Sequence, residues 1–168
     1  MINFNVKRLD EKAVRPSKGY RSDAGIDFYA IEEVALLPHQ TVTVSTGIAV
    51  EMEPSDSCID ITADETVQGI QAVIMEFLTR NNTLGILMRS RSGLLSKNSV
   101  FIEGTIDFNY RNEIKLIVSN VGKRSFKITE GMKLGQGVIV WVPKVSIQEV
   151  EELSDTDRGL NGFGSTGI

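Results

Sequence analysis

Along most of the chain, apolar and polar residues alternate with a period of two, in short runs broken by turn residues. Thr41-Val42-Thr43-Val44-Ser45 and Glu113-Ile114-Lys115-Leu116 are the cleanest runs. Successive side chains of a strand point to opposite faces, so this period marks strands buried on one side. The pattern predicts strands over residues 2–7, 26–30, 41–45, 47–52, 85–88, 113–119, 125–128, 138–142 and 145–150. Short strands with turn signals between them point to a sandwich or barrel rather than to alternating strands and helices. One stretch breaks the rule. Val67, Ile70, Ile74, Phe77 and Leu78 recur at helical spacing, which predicts a helix over 64–82, ended by Asn81-Asn82. A second, very short helix is expected over 94–97, after Gly93.

Composition narrows the chemistry. The 168 residues fit one domain, long enough to bury a core without disulfides. No apolar run approaches the ~18 residues of a membrane span, and no basic stretch leads into an apolar one, so a cytoplasmic protein is expected. Cys58 is the single cysteine, which excludes an internal disulfide and a CxxC zinc site. His39 is the single histidine and sits at a strand entrance, where a surface role is expected. Ser-His-Asp and Cys-His mechanisms are set aside on that ground. The net charge is −4 and no basic stripe stands out, which argues against a nucleic-acid binder. A small anionic substrate is still open, given a few local cations, backbone N–H groups and a divalent metal.

Four segments could carry such chemistry. Arg158-Gly159-Leu160-Asn161-Gly162-Phe163-Gly164-Ser165-Thr166-Gly167 ends the chain after an acidic linker. Composition leaves two readings of it equal: a disordered terminus, or a lid that orders on a nucleotide, with Arg158 on phosphate and Phe163 on a base. Arg89-Ser90-Arg91-Ser92-Gly93 reads as an anion site at a helix start or as a surface loop. Gly104-Thr105-Ile106-Asp107-Phe108-Asn109-Tyr110 reads as a turn into the strand at Glu113. Its aspartate is either a general base or, on the simpler view, a cap on the turn backbone. Asp23-Ala24-Gly25-Ile26-Asp27 suits a hard cation or a plain turn equally.

Taken together, these segments resemble the trimeric dUTPase family. Five motifs stand in that family's order: Asp23-Ala24-Gly25-Ile26-Asp27; Ser90-Arg91-Ser92-Gly93-Leu94; Gly104-Thr105-Ile106-Asp107 with Tyr110 and Asn120; Gly131-Met132-Lys133-Leu134-Gly135-Gln136; and Arg158-Gly159 through Gly162-Phe163-Gly164-Ser165-Thr166-Gly167. The resemblance implies an all-β, jelly-roll-like fold and a homotrimer whose three sites are shared between subunits. It implies a β domain over 1–150, with a helical insert at about 53–84. Residues 151–168 would be a linker and a flexible arm closing over a neighbour's site. The implied reaction is hydrolysis of dUTP to dUMP and pyrophosphate with Mg²⁺, which keeps uracil out of DNA and supplies dUMP for dTTP synthesis. Asp107 would deprotonate the attacking water. Tyr110 would lie under the deoxyribose, and the backbone around Gly104 and Ile106 would pair with uracil. Ser92, Gly93 and Gln136 would contact the phosphate chain, which Arg91 would help order. Asp27 would act on the Mg²⁺ through its water shell. Arg158, Gly164, Ser165 and Thr166 would hold the γ-phosphate while Phe163 covers the base.

Several positions depart from that pattern. The segment 53–83 is long for this connection, and is read as a peripheral packing element ahead of a partner-binding surface. Asn112 replaces a usual glycine. Gly135 and Gly137 flank Gln136 where larger apolar residues are common, an arrangement expected to loosen the phosphate site. The related dCTP deaminases need a glutamate ten residues after the motif aspartate, and Ile117 stands there. The chain also lacks the His-x-Glu and Cys-x-x-Cys of a zinc deaminase and the GxxxxGK[ST] of a P-loop enzyme. The rival from another class is a nucleotide-responsive interaction protein that uses the inserted helix.

Overall fold

The computed structural model describes residues 2–54, 80, 82–157 and 159. Among these residues, ten strands and one short helix follow in order: β1 (Ile2–Arg8), β2 (Gly25–Tyr29), β3 (Val34–Leu36), β4 (Thr41–Ser45), β5 (Ile48–Pro54), β6 (Asn82–Ser90), α1 (Ser92–Asn98), β7 (Val100–Asp107), β8 (Lys115–Asn120), β9 (Phe126–Ile128) and β10 (Lys133–Pro143). The helix expected over 64–82, and with it the partner surface, lies outside the described residues except for Arg80 and Asn82. Asn82 opens β6. Cys58 lies outside them as well.

All strand pairs are antiparallel. The main sheet runs β2-β10-β6-β7-β8-β4, and two smaller sheets, β1-β5 and β3-β9, close around it. The result is the all-β class that the alternation predicts, in the jelly-roll-like form that the resemblance implies. Phe28, Ile86, Ile102, Leu116 and Leu134 come from five strands of the main sheet and are fully buried in one core. Burying a side chain of this size is worth about 1.5–3 kcal/mol. β8 shows the period directly: Leu116, Val118 and Asn120 point inward and Lys115 and Ile117 outward.

Three details position the chemistry. Edge strand β2 is buried on both faces because Ser17 bridges its free edge through paired backbone hydrogen bonds with Asp27, at 2.7 and 3.3 Å. β10 shifts register against β2 between Lys133 and Gly135, a bulge of the kind that re-aims a side chain. At the far end of β6, the Ser90 hydroxyl takes over from the ladder, accepting from the Ile102 N–H at 2.7 Å and donating to the Ile102 carbonyl at 3.2 Å.

The structure corrects three expectations. Residues 100–107 form β7 rather than leading as a turn into Glu113; the turn begins only at Asp107, whose carbonyl accepts from Tyr110 N–H at 3.1 Å. Residues 145–150 form no strand, since no described strand pairs with them, and Val145 and Ile147 are exposed. Gly135 and Gly137 do not loosen β10. A Cβ on Gly137 would stand 2.7 Å from Ile86 Cγ2 and 3.0 Å from Phe28 Cε2, and one on Gly135 would stand 3.2 Å from Leu116 Cδ2. The neighbours have grown into the space, and the strand is tightly packed. His39 is exposed in the β3–β4 turn, as expected of a surface residue.

Candidate active site

Asp27 is the one carboxylate among the buried residues described. Strand β2 carries it into the wall of a cleft of about 650 Å³. A buried carboxylate is costly unless paired, and this one is paired twice. Arg91 Nε lies 3.1 Å from one oxygen and Lys133 Nζ 3.0 Å from the other. Arg91 also donates to the Lys133 carbonyl at 3.4 Å. The hydrogen bond to Asp27, and then its charge, hold the Lys133 ammonium above the ordinary lysine range. Lys133 in addition stands 5.8 Å above the Tyr29 ring, and the Tyr29 hydroxyl is hydrogen-bonded to Ser17 at 2.7 Å.

Arg91 is the N-cap of α1, and the first backbone bond of the helix is Leu95 N–H to Arg91 carbonyl, at 3.0 Å. The N–H groups of Ser92 and Gly93 therefore have no partner within the helix, and both residues line the cleft. Gln136 enters from β10, with its amide donating to the Ser90 carbonyl at 3.1 Å. Gly25 leaves it room, because a Cβ there would displace the Gln136 amide. With Lys97 also on the wall, cations outnumber the acids Asp23 and Asp27. Free N–H groups, fixed cations and an open mouth suit a polyphosphate.

Five expected site residues thus converge: Asp27, Arg91, Ser92, Gly93 and Gln136. Four others do not join them within one chain. Gly104, Ile106, Asp107 and Tyr110 lie along β7 and the turn after it. Along β6, Asp107 sits opposite Gly85 and Gly135 opposite Ser90. Five residues of strand put roughly 17 Å between the two places. At the turn, Tyr110 donates to the Glu113 carbonyl at 3.0 Å, and Arg111 ties Glu51 at 3.0 Å and the Phe108 carbonyl at 2.6 Å. Asp107 is exposed there. Arg158, Phe163, Gly164, Ser165 and Thr166 lie outside the described residues.

Sequence reasoning gave Lys133 no role, although it sits in the fourth motif. Its partner Asp27 is 106 positions away, and no local pattern couples them. Ile117, at the position a deaminase would need acidic, is an exposed outward residue of β8.

The described residues contain no group of three metal-binding side chains. Both oxygens of Asp27 are held by cations, so it is not free to ligate a metal directly. Mg²⁺ binds phosphate oxygens and keeps much of its water, so this wall fits an ion that arrives on a nucleotide and meets Asp27 through water. No described helix is long and apolar enough to cross a membrane.

The dUTPase family model matches residues 56–167. A deoxyuridine 5′-triphosphate nucleotidohydrolase of Clostridium acetobutylicum is 35% identical over 171 residues, covering 100% of this chain and 99% of its own. One from Clostridioides difficile is 38% identical over 171 residues, covering 100% of both. These matches cover the whole chain, residues 53–83 included. Among solved structures, the dUTPase of Staphylococcus bacteriophage 80alpha with dUPNHPP superposes with a TM-score of 0.75 at 25% identity, over 99% of each chain. With 112 of its residues (56 through 167) in the family match and relatives aligned over its whole length, the chain belongs to the dUTPase family.

Proposed function

We propose that this chain is a dUTP diphosphatase that splits dUTP into dUMP and pyrophosphate, so limiting uracil in DNA and supplying dUMP. The observation that carries the reading is the cleft, in a chain of this family. It gathers Arg91, Lys133, Gln136 and the open N–H groups of Ser92 and Gly93 around a space fit for a triphosphate. In-line attack on phosphorus needs positioning and charge neutralisation more than covalent chemistry, and those groups supply both. Asp107 takes a proton from water as its oxygen bonds to the α-phosphorus, and the bond to the bridging oxygen breaks to release pyrophosphate. Gly104 and Ile106 present a strand edge to uracil, and Tyr110 lies under the sugar. Bound with the nucleotide, Mg²⁺ would supply neutralisation of phosphate charge, and Asp27 would face it through water. Residues 158–168 act as an arm, with Arg158, Gly164, Ser165 and Thr166 on the γ-phosphate and Phe163 over the base.

The gap of roughly 17 Å within one chain supports a homotrimer. Asp107 then works at a neighbour's cleft, and a third copy's arm closes it. The test is incubation with dUTP, dCTP, dTTP and UTP plus Mg²⁺, with products resolved, repeated with Asp107→Asn. The expected result is dUMP and pyrophosphate from dUTP alone, reduced on the order of 10²–10⁴-fold in the variant. Deamination of dCTP, or turnover unaffected by the substitution, would overturn the reading.

A further inference from the structure

Beyond the nucleotide cleft, a second depression of about 360 Å³ lies between the end of α1 and the β8–β9 turn. Lys97, Lys123 and Arg124 rim it. Lys97 and Asn98 border both hollows, so the two adjoin. None of these three cations has an ion pair or side-chain hydrogen bond among the described residues. They are nevertheless presented rigidly. Asn120, 1% exposed, donates to the carbonyls of Arg124 at 2.8 Å and Leu36 at 3.2 Å, and accepts from Gly122 N–H at 2.9 Å. Val121 N–H binds the Ser99 carbonyl at 2.9 Å, which fastens the turn to the end of α1.

The chain also carries the complement. Between 149 and 157 stand Glu149, Glu151, Glu152, Asp155 and Asp157, all exposed and all without an ion pair among the described residues. This segment leaves from the Pro143 end of β10, whereas Lys133, at the other end, adjoins the cleft. Ten residues of strand put those ends roughly 34 Å apart. Five like charges in nine residues repel one another and keep the segment extended, in want of a basic surface.

We infer that the groove rimmed by Lys97, Lys123 and Arg124 docks the acidic linker 149–157 of a second copy of this chain. This rests on the reading that residues 158–168 close over another copy's cleft. It adds the surface that delivers them. From Asp157 to Phe163 the chain can span about 20 Å, enough to pass from the groove into the adjoining cleft. A docked linker raises the effective concentration of the arm without any new contact to substrate.

Charge reversal in the full-length protein tests this. Lys123→Glu/Arg124→Glu is expected to raise KM for dUTP by about tenfold at low salt with kcat nearly unchanged, and the effect should fade at high salt. Glu151→Lys/Glu152→Lys alone should also raise KM. Combining the four substitutions should restore it. If the basic residues merely steered the anionic nucleotide, the linker reversal alone would lower KM, and that result overturns the docking. An absence of coupling between the two reversals overturns it equally. A chain ending at Asp157 separates the two layers: retained activity removes the arm itself, whereas lost activity without coupling removes only the groove. In a Cys58→Ser background, oxidised Arg124→Cys/Glu152→Cys should run as chains linked to one another, up to the full ring of copies. A linked single chain would show that the groove takes its own linker and would refute the second copy.

Discussion

Asp27 shows how one residue can organise a site without reacting. Its carboxylate sits on a sealed strand and draws Arg91 and Lys133, from the start of α1 and the bulge of β10, to within 3.1 Å. Both cations are more than a third exposed at their side chains, so solvent weakens the pairs, and their value is chiefly geometric. Lys133 gives the arrangement a pH signature. Its pKa is raised by the hydrogen bond and charge of Asp27. A group that gains affinity for its proton on folding stabilises the fold below its unfolded pKa, near 10.5, and loses that effect as the pH rises through the higher folded value. The urea midpoint of the wild type should therefore exceed that of Lys133→Met at neutral pH. The gap should shrink at pH values above the lysine range. A gap constant with pH would sink this account. Gly137 is a second residue with a definite expectation. The space that its missing side chain leaves is filled by Ile86 and Phe28, so Gly137→Val overpacks the core and should cost about 1–3 kcal/mol. Thermal unfolding would register this as a lowered Tm, and an unchanged Tm would mean that β10 is looser than it looks.

At the scale of elements, alternation made most strands legible, and its failures have physical causes. β7 was misread because Gly104 occupies an inward position between Ile102 and Ile106, so the apolar beat lapses where the motif begins. β3 is three residues long and too short to show a period. Residues 145–150 have a strand's composition, but a strand needs a neighbour, and none stands beside them among the described residues. The five cleft residues were legible from their motifs, whereas the partnership of Lys133 with Asp27 was not, because tertiary pairing alone creates it. The hairpin between β7 and β8 makes a further expectation plain. Arg111 anchors its tip to Glu51 of β5 and stacks 5.9 Å above Phe108. Arg111→Ala removes an exposed pair and should cost less than about 1 kcal/mol in stability. The same change frees the turn that carries Asp107 and Tyr110, and a small misplacement of reacting groups can cost up to about 10²-fold in rate. A loss in kcat/KM for dUTP well beyond the stability change, read by parallel kinetics and denaturant titration, is expected. Equal small effects on both would leave the hairpin's placement independent of Arg111.

For the whole molecule, the distance between the cleft and the β7–β8 hairpin is the feature that the proposed function has to answer. One chain holds the phosphate cleft at one end of β6 and Asp107 beside the other, and neither can reach the other without unfolding the sheet. The proposed closed cyclic assembly would solve this, because each copy would present its hairpin to the next copy's cleft. Subunit mixing tests the arrangement directly. Arg91→Ala should spoil the cleft and leave the hairpin intact, and Asp107→Asn should do the reverse, so each variant alone is nearly inactive. When the two are unfolded together in equal amounts and refolded, a site is sound only if it draws its cleft from an Asp107→Asn chain and its hairpin from an Arg91→Ala chain. Random assembly gives that combination in about a quarter of sites, so about a quarter of wild-type turnover should return. A site confined to one chain would recover nothing, because every chain in the mixture carries one lesion. Recovery that appears on co-refolding but not on brief mixing of the folded variants would further show that the copies exchange slowly, as expected if 145–150 are strands only in the assembly.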